Sequence, residues 1–136
     1  MDMKSLKTIN ILYVEDDETV VESFGKILKK VFNDVKTALD GEEGLKLFEQ
    51  NKDTIDFIIS DIRMPKMDGL EMIKQIRKID KDIPCILTTA HGEFDYFVEA
   101  DSLGVYRYIQ KPVNINELFE AMGDYISGLE VSKTEL

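Results

Sequence analysis

The chain has 136 residues, 43% of them hydrophobic, and its 27 acidic against 17 basic side chains give a formal net charge of −10. That is enough apolar chain for one domain with a proper core and too little for two. So acidic a surface repels phosphate backbones and anionic lipid, which argues against direct nucleic-acid or membrane binding and suits cations or basic partner faces.

Strand and helix patterns alternate five times along the chain. Ile9 to Val14 reads as the first strand, followed by a helix with Val20, Phe24, Ile27, Leu28 and Val31 at three- and four-residue spacing. Val35 to Ala38 is a short second strand. Asp40-Gly41-Glu42-Glu43 then opens a helix as a capping box, burying Leu45 and Phe48. Asp56 to Ser60 is the third strand, and Asp68-Gly69-Leu70-Glu71 starts a helix that buries Met72, Ile73 and Ile76. Pro84 to Thr88 is the fourth strand. A fourth helix runs from about Phe94 to Leu103 and stops at Gly104. Val105 to Gln110 is the fifth strand, and Asn114-Ile115-Asn116-Glu117 caps a last helix carrying Leu118, Met122 and Ile126. Residues 7–128 are expected to form the domain, and 129–136 a tail or the start of a linker. Both ends, Met1 to Leu6 and Leu129 to Leu136, read as loosely held. The single cysteine, Cys85, lies among Ile83, Ile86 and Leu87 and reads as a core thiol. No signal peptide and no membrane-length apolar stretch is recognisable, so a cytoplasmic location is expected.

Strict alternation with short links implies an α/β fold, a five-stranded parallel sheet with helices on both faces. The flavodoxin-like strand order 2-1-3-4-5 accommodates five strands. In such sheets ligands bind outside the carboxyl ends of the strands, where the order reverses, here between the first and third. The first strand ends in Glu15-Asp16-Asp17, the third in Asp61, the fourth in Thr88-Thr89-Ala90 and the fifth in Lys111-Pro112. Carboxylates, a hydroxyl and an ammonium are thus expected around one rim. Oxygen-only ligands point to a hard ion, Mg²⁺ before Ca²⁺. An ion beside a strand-tip carboxylate suggests phosphoryl chemistry, with Asp61 as nucleophile, Lys111 as a point charge and Thr89 as a donor.

These residues resemble the receiver domains of two-component response regulators, similar to the single-domain chemotaxis regulator. The resemblance runs from about Ile9 to Ile126. It rests on the acidic pair after the first strand, the segment Asp61-Ile62-Arg63-Met64-Pro65-Lys66-Met67-Asp68-Gly69, Thr89-Ala90, and Tyr108 ahead of Lys111-Pro112. It implies a phosphorylation-dependent switch in which Asp61 accepts a phosphoryl group from a sensor histidine kinase or phosphotransfer protein. It also implies that Asp16 binds Mg²⁺ directly, Glu15 through water, and that the Arg63 backbone carbonyl completes the metal's protein ligands. Thr89 and Lys111 would bind phosphoryl oxygens, the Lys111–Pro112 bond would be cis, and Tyr108 would turn inward as Thr89 moves. Arg63 and His91 occupy positions that modulate phosphoryl lifetime in the family. The domain would assist its own phosphorylation and hydrolysis without being a turnover enzyme.

Plainer readings compete at several positions. Thr88 is a rival for Thr89, and Asp17 extends the acidic run but reads as a helix-start residue. Tyr106, on the side of its strand shared with Tyr108 by two-residue periodicity, is a rival for surface contact. His91 reads as a rim residue. The aromatics Phe94, Tyr96 and Phe97 read as mixed core and surface, and Glu93, Asp95, Glu99 and Asp101 make their helix anionic. The face of the fourth helix, fifth strand and last helix resembles the one through which receivers dimerise or touch effectors, and its acidity implies a basic partner. The alternative is a small Mg²⁺-dependent phosphatase with an Asp nucleophile, but such enzymes carry an acid two residues on, where this chain has Arg63. A flavin binder lacks the phosphate loop it would need after the first strand.

Overall fold

Each apolar run forms a strand, because β-branched and aromatic side chains fit a pleated, buried surface. The strands are β1 (Asn10–Val14), β2 (Asp34–Ala38), β3 (Phe57–Asp61), β4 (Cys85–Thr89) and β5 (Arg107–Gln110). All pair in parallel, in the order β2-β1-β3-β4-β5 expected from the alternation. The connecting helices are α1 (Glu18–Val31), α2 (Gly41–Asn51), α3 (Gly69–Arg77), α4 (Phe97–Ser102) and α5 (Ile115–Glu135). The computed structural model describes residues 3–90, 92 and 94–135, so His91 and Glu93 lie outside the described residues.

Strand alternation feeds two cores, one per sheet face. Ile11, Tyr13, Phe57, Ile59, Ile86 and Ile109 pack against α1 and α5. Leu12, Val14, Ile58, Cys85 and Leu87 pack against α2, α3 and α4. The helix starts follow the caps read from sequence. Asp17 accepts from the Thr19 and Val20 amides, Asp40 from Glu43, Asp68 from Glu71, and Asn114 from Asn116 and Glu117.

Several boundaries move, and each has a local cause. Asp56 lies before β3, where its carboxylate accepts the Asn10 amide at 2.9 Å. Asp61 and Thr89 are the last residues of their strands rather than the first of their loops. The fourth helix is split into a 3₁₀ turn, Phe94–Tyr96, and the shorter α4. Gly104 ends that stretch with φ at +71°, the left-handed conformation that glycine adopts freely. Val105 and Tyr106 fall outside β5, so two-residue periodicity does not reach Tyr106. It packs in the α1/α5 core while Tyr108 packs on the opposite face, correcting the expectation that the two share a side.

The N-terminal stretch is not loose at its inner end. Met3–Leu6 is a helical turn, and Leu6 is buried in the core. At the other end α5 continues to Glu135 through the expected tail. Val20 and Ile27, read as core positions of the first helix, are 37% and 44% exposed.

Two glycines give opposite expectations. A Cβ on Gly69 would lie 2.1 Å from the Asp61 carbonyl oxygen, because the first turn of α3 packs directly on the tip of β3. A Cβ on Gly25, inside α1, would meet nothing within 4 Å. Gly69→Ala is expected to destabilise by about 2 kcal/mol or more through backbone overpacking. Gly25→Ala is expected to stabilise by about 0.5–1 kcal/mol through helix propensity. Urea titration of the two variants checks both signs.

Candidate functional site

The carboxyl ends of β1, β3, β4 and β5 meet at the point where strand order reverses. β1 delivers Glu15, 2% exposed, and the exposed Asp16; β3 delivers Asp61, 6% exposed. One carboxylate oxygen from each of the three falls within 4.8 Å of the others. Lys111, the residue after β5, spans the gap. Its ammonium donates to Asp61 Oδ2 at 2.7 Å and to Glu15 Oε1 at 2.8 Å. Its amide donates to the Thr89 carbonyl at 2.8 Å, tying the ends of β4 and β5 together. The Lys111–Pro112 bond is cis.

Backbone donors fix the remaining carboxylate oxygens. Glu15 Oε2 accepts the Asp17 amide at 3.0 Å and Asp61 Oδ1 accepts the Ile62 amide at 2.9 Å. The Asp61 carbonyl accepts the Ser60 hydroxyl at 2.8 Å. Asp61 is therefore held by its own strand, by the next amide and by a lysine from two strands away.

The three acids titrate differently. Burial pushes Asp61 up to about 6, against the opposing pull of Lys111. Burial would raise Glu15 as well, but hydrogen bonds from Lys111 and the Asp17 amide bring it below the usual carboxylate range. Asp16 is raised by burial and by Glu15 beside it. Lys111 is held above its ordinary value, because Asp61 and Glu15 outweigh its desolvation. The field reaches Tyr13, whose hydroxyl is raised first by burial and then by Glu15, Asp61 and Asp17. Three carboxylates thus face one ammonium, a donor set of hard oxygens with an excess of negative charge, and that set fits a divalent cation.

The two threonines separate. Thr88 pairs with Asp61 across the β3–β4 ladder and donates to the Ser60 carbonyl at 3.4 Å. It lines a cavity of about 630 Å³ with Tyr13, Glu15, Asp16, Phe24 and Lys111. Thr89 pairs with Gln110 and is 5% exposed at the very end of β4. Tyr108 is directed away from the acids, its hydroxyl donating to Asp101 and its ring 4.6 Å from that of Phe97. Tyr106 instead donates to the Ala121 carbonyl at 3.0 Å. Cys85 is fully buried and its thiol is pushed up to about 12 by burial, which leaves it inert as a nucleophile.

One contact at the rim was not legible in the sequence. Arg63, two residues past Asp61, donates from Nε to the Tyr96 hydroxyl at 3.2 Å, with its guanidinium 5.6 Å from the Tyr96 ring centroid. Nothing in the spacing of two residues 33 positions apart announces that pair.

Folding raises Asp61 above its ordinary 3.8, so the folded state keeps the proton to about pH 6. The associated stability is full below about pH 4 and is lost as pH rises through about 6. Asp61→Asn removes this loss. Its stability relative to wild type in EDTA is expected to increase by about 2 kcal/mol between about pH 4.5 and pH 7.5. A difference that stays flat with pH in urea titrations would contradict the geometry.

The family model described as the response regulator receiver domain matches residues 11–123. The transcriptional regulatory protein GlrR of Escherichia coli (strain K12) is 36% identical over 120 residues, covering 88% of this chain and 27% of GlrR. The chain therefore spans about a quarter of the length of that curated relative. A response regulator receiver domain protein from Clostridium thermocellum superposes with a TM-score of 0.83 at 31% identity, covering 90% of this chain and 98% of the other. A chain from the CheX–CheY–BeF3–Mg²⁺ complex of Borrelia burgdorferi superposes with a TM-score of 0.81 at 27% identity, covering 93% and 95%. Among the described residues no helix is long and apolar enough to cross a membrane.

Proposed function

The chain belongs to the response regulator receiver domain family, and we propose that it is the phosphorylation-dependent switch of a two-component system, with Asp61 as its phosphoacceptor. The observation that carries this reading is the Asp61 carboxylate at the tip of the central strand β3, between the Lys111 ammonium and the acids of β1. An Asp61 oxygen attacks the phosphorus of a phosphohistidine on a kinase or phosphotransfer protein; the P–N bond breaks and imidazole leaves. Glu15, Asp16, Asp61 and the Arg63 carbonyl would hold Mg²⁺. The ion supplies charge neutralisation at the transferring oxygens when bound. Lys111 binds a phosphoryl oxygen and keeps Glu15 ionised. Thr89, at the end of β4, contributes its hydroxyl to another. The Borrelia burgdorferi complex, which includes both BeF3 and Mg²⁺, supports the same ligand classes here.

The output follows from differential contact with the two states. A phosphoryl group draws Thr89 and Lys111 toward itself, and Tyr108 leaves Asp101 and Phe97 to turn toward Thr89. The α4–β5–α5 face thereby changes for an effector or a second copy. Asp95, Glu99 and Asp101 are exposed there and Val98 is 82% exposed, a pattern suited to a basic partner with an apolar contact. The domain assists its own phosphorylation and hydrolysis as a regulatory module of the cytoplasm. No observation favours the phosphatase reading, and Arg63 stands where that chemistry places an acid.

Incubation with acetyl phosphate and Mg²⁺ is expected to add one phosphoryl group by intact mass. Asp61→Asn and excess EDTA should each abolish the gain, and Lys111→Met should slow it about 100-fold or more by removing a charge at the reacting oxygens. A gain that survives Asp61→Asn would defeat the proposal.

A further inference from the structure

Tyr13 is the one tyrosine buried from solvent, at 3% exposed. The hydroxyls of Tyr96, Tyr106 and Tyr108 are hydrogen-bonded, to Arg63, Ala121 and Asp101 respectively. The Tyr13 hydroxyl has no hydrogen-bond partner among the described residues, and its ring contact is with Phe24 of α1, centroids 5.5 Å apart. A buried hydroxyl left without a partner is costly, and native proteins keep one where a ligand, an ion or a water meets it.

The strand fixes where that hydroxyl lies. Side chains alternate along β1, so Tyr13 and Glu15 share the sheet face that α1 and α5 cover. Tyr13 pairs with Ile59 of β3, and Asp61 lies two residues further on, on the same face. Two residues of a parallel strand span about 6.6 Å, a rise that a phenol leaning toward the strand end covers. Tyr13 does reach that end, since it lines the cavity of about 630 Å³ with Glu15, Asp16, Lys111 and Pro112. After burial, the charges that act on its hydroxyl are those of Glu15, Asp61 and Asp17. Thr88, the other hydroxyl on the cavity wall, already donates to the Ser60 carbonyl at 3.4 Å.

The carboxylates of this wall only accept hydrogen bonds, and Lys111 commits two of its three N–H groups to Asp61 and Glu15. The phenol is a donor with no acceptor. A phosphoryl group on Asp61 brings three strongly accepting oxygens into that setting, more capacity than Lys111 and the Thr89 hydroxyl fill.

We propose that Tyr13 is a further binding residue of the phosphorylated state, its hydroxyl donating to a phosphoryl oxygen on Asp61 from the α1/α5 side of the sheet. This rests on the reading of Asp61 as phosphoacceptor. The hydroxyl is idle in the bare protein and engaged in the phosphorylated one, so its whole contribution falls on the difference between the two states. Because the Tyr13 ring rests on Phe24, that difference reaches α1, across the sheet from α4.

Tyr13→Phe removes the oxygen and keeps the ring. The probe is beryllofluoride, which binds a carboxylate as a phosphoryl mimic, titrated into the full chain in saturating Mg²⁺ and followed by ¹⁹F NMR. Its midpoint is expected to rise about 10-fold, the loss of one charge-assisted hydrogen bond. The bound fluoride resonances should shift as well. In EDTA the melting temperature is expected to stay within about 2 °C of wild type, because no protein partner is lost. Mg²⁺ affinity without beryllofluoride, from isothermal titration, should be unchanged. An unchanged beryllofluoride midpoint would overturn the inference. So would a lower melting temperature in EDTA, which makes the hydroxyl structural, or an equal loss of Mg²⁺ affinity, which assigns it to the metal. Failure of wild type to bind beryllofluoride, or binding that survives Asp61→Asn, would instead overturn the proposed function.

Discussion

The contact on which the site depends is one ammonium shared by two buried carboxylates. Lys111 meets Asp61 and Glu15 at 2.7 and 2.8 Å, and in doing so joins the ends of β5, β3 and β1. Buried carboxylates are tolerated only when paired and hydrogen-bonded. Lys111 pairs both, yet it cannot neutralise both, and Asp16 adds a third negative charge. The outcome is asymmetric. Glu15, with a backbone amide as well as the lysine, falls below its ordinary range, while Asp61 is pushed up to about 6. Such a cluster carries an excess of negative charge that a divalent cation would offset, so on the proposed reading ion binding and the reactivity of Asp61 would share one electrostatic origin.

How the fold delivers that asymmetry is a matter of strand ends. Parallel strands joined by right-handed crossovers present all their carboxyl termini on one edge. Since β1 and β3 are neighbours, the Glu15–Asp16 pair arrives beside Asp61 without any long loop. The first turn of α3 then packs on the tip of β3, with the Gly69 amide donating to the Ile62 carbonyl at 2.7 Å. Side-chain space at Gly69 is absent because the Asp61 carbonyl fills it.

Much of this was legible in the residues. Short apolar runs, Asp and Asn caps, and the Gly104 stop specified most element positions, since each rests on local backbone chemistry, and strict strand–helix alternation pointed to the sheet order. The site acids and Lys111 were legible for a related reason: they sit at strand ends, where position in sequence maps directly onto position in space. What was not legible depended on packing between distant segments. The pairing of Arg63 with Tyr96, the burial of Leu6 and the opposite sides taken by Tyr106 and Tyr108 are fixed by tertiary contacts. The exposure of Val20 and Ile27 shows the same limit, since a helical apolar stripe broader than its docking surface leaves members at the rim.

Two side-chain tethers end on the same stretch of chain. Tyr108 is held by Asp101 and Phe97 of α4, and Arg63 by Tyr96 at the start of α4. That helix is only six residues long and starts without a side-chain cap, whereas α1, α2 and α3 are each capped by an aspartate. A short uncapped helix is marginal on its own and depends on tertiary contacts for its position. The element that both tethers grip is therefore the one least able to hold its place alone. On the proposed reading, a change of charge at Asp61 that altered either tether would bias α4, with the capped helices as the fixed frame for that movement.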